Sequence, residues 1–242
     1  VNLGNGKKKT NTGMEQGNLI HTINLEPEKF DEEYFIVDGV LNANGSIPKK
    51  LLTAENLANA NGRQIILQPQ LDLANLSRQN ILAYPEAQEA MFGEGGENEV
   101  SFFYIDYEIV KILTNGLYDF PFAMRVRPDR LYLNYETKKG KIIDLKSSRN
   151  IKKSAFERDA KWNFKYAMSA YMYVYVIYKL TGVMCSFEWV VVGSDAWAPI
   201  AVYPLSEETL ALGEIQFNEA IVNMINGMET GEWRYQKQPQ VM

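Results

Sequence analysis

Between residues 99 and 148 the chain reads as a run of consecutive strands, and this run constrains the fold more than any other feature. The segments EVSFFYIDYEI, FPFAMRVRP, DRLYLNYE and GKIIDLKS alternate or run apolar and are rich in β-branched and aromatic residues. That composition suits a pleated, half-buried surface. Asn115-Gly116 and KKGK at 138–141 supply turns. Upstream, MEQGNLIHTINL has helical spacing and stops at Glu26-Pro27, and 48–61 and 69–92 read as helices punctuated by Pro48, Pro69 and Pro85. Downstream, FERDAKWNFKYAMSAYMYVYVIYKLTG reads as one long aromatic-rich helix closed by Gly182. MCSFEWVVVGS and PIAVYPLS read as two more strands, followed by a helix capped by Ser206 with acids in its first turn. Helices, strand meander, helix, strand pair, helix is the order of an α/β domain with a mixed central β-sheet flanked by helices.

The length, 242 residues, fits one such domain. Residues 1–13 are polar and Gly-rich and are expected to be a flexible lead. Residues 14–242 are expected to form the domain, with 14–92 its helical N-terminal part and 93–242 its sheet and later helices. No stretch approaches the ~20 apolar residues of a membrane span, and no secretory signal is visible. The one cysteine, Cys185, lies in an apolar run and reads as a small buried side chain. One cysteine excludes a Cys-ligated zinc site or iron–sulfur cluster and points to a reducing, cytoplasmic setting.

Charge is unevenly distributed. Residues 125–165 hold thirteen Lys/Arg against five Asp/Glu, a window of +8 in a chain of net −5, which leaves −13 on the remainder. Such asymmetry fits a local polyanion site on an acidic protein, or a solvated helix face beside a Lys-rich turn.

Within KGKIIDLKSS, residues 139–148, an acid and a base interrupt an apolar run. Alternate strand residues share a face, so Asp144 and Lys146 project together while Ile143 and Leu145 project the other way. Unpaired charges are costly in an interior, so the charged face is wet, paired or holding an ion. Asp129, in RPDRLYL, sits where the preceding strand begins, and a hairpin of the two strands brings it near Asp144. Two close carboxylates repel, and a divalent cation with a taste for oxygen removes the repulsion. A surface hairpin with a cross-strand Asp–Lys salt bridge explains the same spacing.

The pattern RPD, turn, IIDLKSS resembles the PD-(D/E)XK nuclease signature. Its surroundings resemble the RecE-type (exonuclease VIII) and phage recombination exonuclease branch. ENEVSFFY, MRVRPD, IIDLKSS, SAFERDAKWNFKYAMSAY and GEWRYQ fall in that branch's order, and the early GNLIHTINLEPEKF resembles its His-containing segment. The resemblance covers residues 17 to about 235 and implies a restriction-endonuclease-like core. It implies an exonuclease that hydrolyses linear double-stranded DNA, 5′ to 3′, with one or two Mg²⁺ ions or Mn²⁺ in their place. It further implies a trimeric or tetrameric homo-oligomeric ring, a single-strand annealing protein as partner, and phage or prophage recombination in a bacterial cytoplasm. Two other readings remain: a PD-(D/E)XK endonuclease of restriction, repair or packaging, and a non-catalytic DNA-binding protein with a worn site.

By the same resemblance Asp129 and Asp144 are metal ligands with the Leu145 carbonyl, and Lys146 orients the attacking water. His21, the only histidine, falls in the site, although a lone histidine on an amphipathic helix is more often structural. Glu99 matches an upstream Glu that binds metal directly or through water, with Glu97 as competitor. Tyr171 matches a helix Tyr of the site, whereas Ala167 stands where the family has Gln. A register two residues later puts Ser169 and Tyr173 in those places. Arg125, Arg127, Arg149, Lys152, Lys153, Arg158 and Lys161 are candidates for contacts to DNA phosphates, and each is equally explained as solvated surface.

Overall fold

The structure, a computed structural model, describes residues 12–232. Most of the expected N-terminal lead and all but two residues of GEWRYQ lie outside the described residues, and Thr12 and Gly13 already belong to the first helix. The helices are α1 (Thr12–Leu25), α2 (Phe30–Glu33), α3 (Ala54–Ala60), α4 (Gln68–Ala83), α5 (Pro85–Phe92), α6 (Ile109–Leu113), α7 (Lys153–Arg158), α8 (Tyr166–Thr181) and α9 (Glu207–Thr230). The strands are β1 (Tyr34–Val37), β2 (Gln64–Leu67), β3 (Glu97–Asn98), β4 (Phe102–Asp106), β5 (Phe122–Val126), β6 (Arg130–Asn134), β7 (Lys139–Ser148), β8 (Met184–Gly193) and β9 (Ile200–Pro204).

The central sheet has the order β3-β6-β7-β8-β9. β7 and β8 are parallel, because the Met184 and Ser194 amides donate to the Lys138 and Ser148 carbonyls at 3.0 and 2.9 Å, a constant offset along both strands. β8 and β9 are antiparallel, with Gly193 donating to Pro199 and Leu205 to Phe187, both at 2.8 Å. The sheet is therefore mixed, as the element order requires. Ile142, Ile143 and Val190–Val192 are fully buried, so β7 and β8 are covered on both faces, as parallel neighbours usually are.

Three expectations need correction. The segment 99–148 does not form one meander. β4 and β5 pair antiparallel as a separate two-stranded sheet, with Tyr104 opposite Met124. Between them α6 follows because the Asp106 carboxylate accepts from the Glu108 and Ile109 amides, both at 2.9 Å, and so starts a helix where periodicity suggested only strand. The N-terminal part is not purely helical, since β1 and β2 pair in parallel. The single long helix is three pieces. After α7 the backbone widens into a π-helical segment, Asp159–Asn163, with the Phe164 amide reaching the Asp159 carbonyl at 2.9 Å. Lys165, in the left-handed region at φ 53°, then starts α8 afresh.

By contacts along the chain the protein divides into two compact units. Of the described residues, the first comprises 12–98, 143–153 and 189–203. Here α1 packs on α4, and Arg78 of α4 donates to the Ile23 and Asn24 carbonyls at 3.0 and 3.1 Å. It thereby satisfies the last turn of α1, which has no basic residue of its own. Val37, Ala60, Ile65 and Leu67 form a small core under β1, β2 and α3. A Cβ at Gly17 would stand 2.8 Å from Ser147 Oγ, so glycine lets α1 approach β7 closely.

Of the described residues, the second unit comprises 99–142, 154–188 and 204–232. Its centre is the pairing of α8 with α9. The Ser206 hydroxyl caps α9 by accepting from the Thr209 amide at 3.2 Å, as the sequence indicates. Gln216 of α9 donates to the Lys161 carbonyl at 2.7 Å, occupying an acceptor in the widened turn. Cys185 is buried, and burial pushes its thiol up to about 11.

Candidate active site

Asp129 is 8% exposed and immediately precedes β6. Its carbonyl accepts the Glu99 amide at 3.2 Å. Glu99 itself lies in the left-handed region at φ 56°, a conformation that costs a non-glycine residue about 1–3 kcal/mol and is found where surroundings impose it. A carboxylate oxygen of Glu99 and one of Asp129 lie within 4.8 Å of each other. Arg127 Nε pairs with Glu99 Oε2 at 2.6 Å, and the Glu99 side chain is only 6% exposed. Glu97, by contrast, is exposed in β3. Of the two competing acids, the structure brings Glu99 to Asp129.

Glu99 and Asp129, both in the second unit, offer two carboxylates that could hold a metal ion. The donor chemistry fits a divalent cation. Two shielded carboxylates this close repel each other, and hard cations prefer oxygen. His21 lies on α1, half-buried, one helical turn after Gly17. Residues four apart share a helix face, so His21 continues the stripe on which α1 approaches Ser147 of β7.

Asp144 and Lys146 lie in the same unit as His21. Asp144 is 7% exposed, and Lys146 Nζ contacts its Oδ2. Strand alternation places the pair on one face. Leu145 between them is buried with the opposite side chains. The charged face is thus neither wet nor unpaired.

Tyr171 sits in the seam between α8 and α9. Its hydroxyl donates to Glu214 Oε1 at 3.1 Å, and its ring packs on Tyr175 and Phe217 at 5.9 and 5.6 Å. Burial, then the Glu214 charge and hydrogen bond, push its pKa up to about 12. Tyr173 packs near Phe187 at 6.4 Å, and Ser169 is half-buried on α8. Ala167 is fully buried, and a Cβ on Gly213 of α9 would fall 2.2 Å from the Ala167 carbonyl oxygen. The helices cross here at close range, which gives Gly213 a packing reason that the sequence did not disclose.

The basic candidates divide. Arg127 is committed to Glu99, a role the sequence did not suggest. Lys161 lies 3.8 Å from Glu208, and Arg158 lies 3.8 Å from Asp159. Arg125 lies over the Phe103 ring at 5.5 Å on the exposed face of the β4–β5 ribbon. Arg149, Lys152 and Lys153 are exposed on the segment that follows β7.

The family described as "PDDEXK-like domain of unknown function (DUF3799)" matches residues 2–236. The fold is similar to a solved structure of a candidate exonuclease from Eubacterium rectale: 12% identity over 93% of this chain and 70% of that one, TM-score 0.52. SSO0001, 14% identical over 87% of each chain, superposes with a TM-score of 0.34. No protein of curated function matches the chain.

Proposed function

The chain belongs to the PDDEXK-like family, and on that premise we propose that it is a divalent-metal-dependent nuclease that removes nucleotides from the ends of linear double-stranded DNA. The observation that carries the proposal is the shielded carboxylate pair of Glu99 and Asp129, with oxygens within 4.8 Å. It is supported by the Asp144–Lys146 contact on β7.

In this reading Asp129 and Asp144, with the Leu145 carbonyl, hold the cation, Mg²⁺ or Mn²⁺ in its place. Glu99 and His21 complete its surroundings. When bound, the cation supplies a Lewis acid for the phosphodiester. Lys146 donates to the attacking water, orients it in line with the phosphorus, and offsets negative charge gathering on the phosphate oxygens. Arg127 keeps the Glu99 carboxylate fixed. Tyr171 acts at a distance, by positioning α8 against α9. Arg149, Lys152 and Lys153 contact phosphates and hold the strand without reading its sequence. Degradation 5′ to 3′, a ring-like homo-oligomer and an annealing protein that receives the 3′ strand complete the proposal, as in phage-type recombination.

The test is incubation with Mg²⁺ on linear and covalently closed circular duplex, with 5′-phosphorylated and 5′-hydroxyl ends compared. The expected result is loss of the linear DNA alone. Cutting of the closed circle overturns the exonuclease reading in favour of an endonuclease.

A further inference from the structure

Trp197, between β8 and β9, is 81% exposed, the highest value among the large apolar side chains that face solvent in the described residues. The backbone beneath it is tightly held. The Ser194 amide donates to the Ser148 carbonyl at 2.9 Å, and the Ala198 amide to the Asp195 carbonyl at 3.1 Å. The Trp197 amide donates to Asp195 Oδ1 at 2.9 Å. From α4, Asn80 Nδ2 donates to the carbonyls of both Trp197 and Ala198, at 2.8 and 2.9 Å. Ala198 is fully buried with φ at 43°, a left-handed conformation that an alanine holds only when its surroundings impose it. A loop fixed on this many sides, presenting a bare indole to water, is preorganised for contact with something outside the chain.

Its position indicates what that is. β7 and β8 are parallel, so they end side by side at Ser148 and Gly193, where the Ser194 amide donates to the Ser148 carbonyl. β7 is the strand of Asp144 and Lys146, and Lys146 lies two residues before Ser148. Beyond Ser148 the chain exposes Arg149 and Lys152, and the Tyr203 hydroxyl holds the carbonyl of Ile151 between them. A basic segment and an exposed indole thus leave the same end of the sheet on neighbouring strands, the end at which open α/β sheets receive ligands. Positive charge tracking a backbone, beside an aromatic face with no hydrogen-bond code, is the chemistry of single-strand binding.

We propose that Trp197 stacks on an unpaired nucleobase of a DNA strand whose phosphates lie along Arg149 and Lys152. The proposal rests on the nuclease reading and adds to it the path of a single-stranded segment. Asn80 is then a positioning residue for the indole.

The test is binding of a labelled oligothymidylate in EDTA at low salt, followed by anisotropy, with wild type, Trp197→Ala and Trp197→Phe. Trp197→Ala is expected to weaken binding roughly tenfold, the usual consequence of losing one base stack, while Trp197→Phe stays near wild type. In Mg²⁺ the alanine variant is expected to raise KM on single-stranded ends and leave kcat unchanged. Wild-type affinity in Trp197→Ala overturns the proposal. So does weaker binding accompanied by a change in sedimentation, which marks the indole as a contact between copies of the chain. Absence of hydrolysis by wild type in Mg²⁺ and Mn²⁺ overturns the nuclease reading, while the EDTA arm still decides the stacking.

Discussion

Lys146 Nζ contacts Oδ2 of Asp144, two residues apart on one face of β7. An ammonium and a carboxylate therefore share a mostly shielded strand face, with Ile143 and Leu145 buried on the other. If the pair were only a structural salt bridge, replacing both charges would be tolerated at modest cost. If it does chemistry, either single replacement removes it. Lys146→Ala and Asp144→Asn are expected to lower Mg²⁺-dependent hydrolysis of linear duplex by about 10²–10⁴-fold and to retain DNA binding in a gel-shift assay. Hydrolysis within a few-fold of wild type in both variants would remove these residues from the reaction.

Strands β6, β7, β8 and β9, the cap of α9 and the charges of β7 were legible in the sequence because each follows from local rules: alternation, a serine before acids, charges at spacing two. What was not legible depends on partners distant in sequence or on backbone torsions. The helix α6 begins because Asp106 takes two amides, and a strand pattern hides it. The break before α8 is a torsional event at Lys165. Glu99 could not be separated from Glu97 by pattern. Burial, and an Arg two residues before Asp129, separate them. The full burial of Ala167 is likewise set by elements distant in sequence.

The Glu99 and Asp129 carboxylates, with oxygens within 4.8 Å, predict metal-linked stability. A ligand that binds only the folded state adds about 2.7 kcal/mol at a hundredfold excess over its Kd. Urea unfolding midpoints are expected to rise with Mg²⁺ or Mn²⁺ and fall back with EDTA in wild type. Asp129→Ala is expected to abolish the rise. Equal cation responses in the two proteins would place the binding elsewhere.

The crossing of α8 and α9 gives a prediction for the departure at residue 167. Restoring the longer side chain with Ala167→Gln places an amide in a fully buried position. Gly213→Ala brings a methyl to 2.2 Å from the Ala167 carbonyl oxygen. Overpacking of this kind costs about 1–3 kcal/mol. Both variants are expected to lose that much in urea denaturation, and Ala167→Gln is expected to gain no nuclease activity. A gain at unchanged stability would show that the position reaches the site.

Asp106 predicts an acid limb in stability. Burial alone would raise its pKa, but the Tyr175 hydroxyl, the Glu108 and Ile109 amides and the charge of Lys179 together hold it below the ordinary carboxylate value. A depressed folded pKa means that the unfolded chain takes up the proton first. The stabilisation is complete above the unfolded value, ~4, and is lost as pH falls from there through the folded value. Asp106→Asn removes this dependence. It also replaces charged hydrogen-bond acceptance by a neutral amide, at a cost of about 1–3 kcal/mol at neutral pH. Urea midpoints measured from neutral to acid pH are therefore expected to converge for wild type and Asp106→Asn as pH drops. Parallel curves would show that Asp106 titrates alike in the folded and unfolded chain.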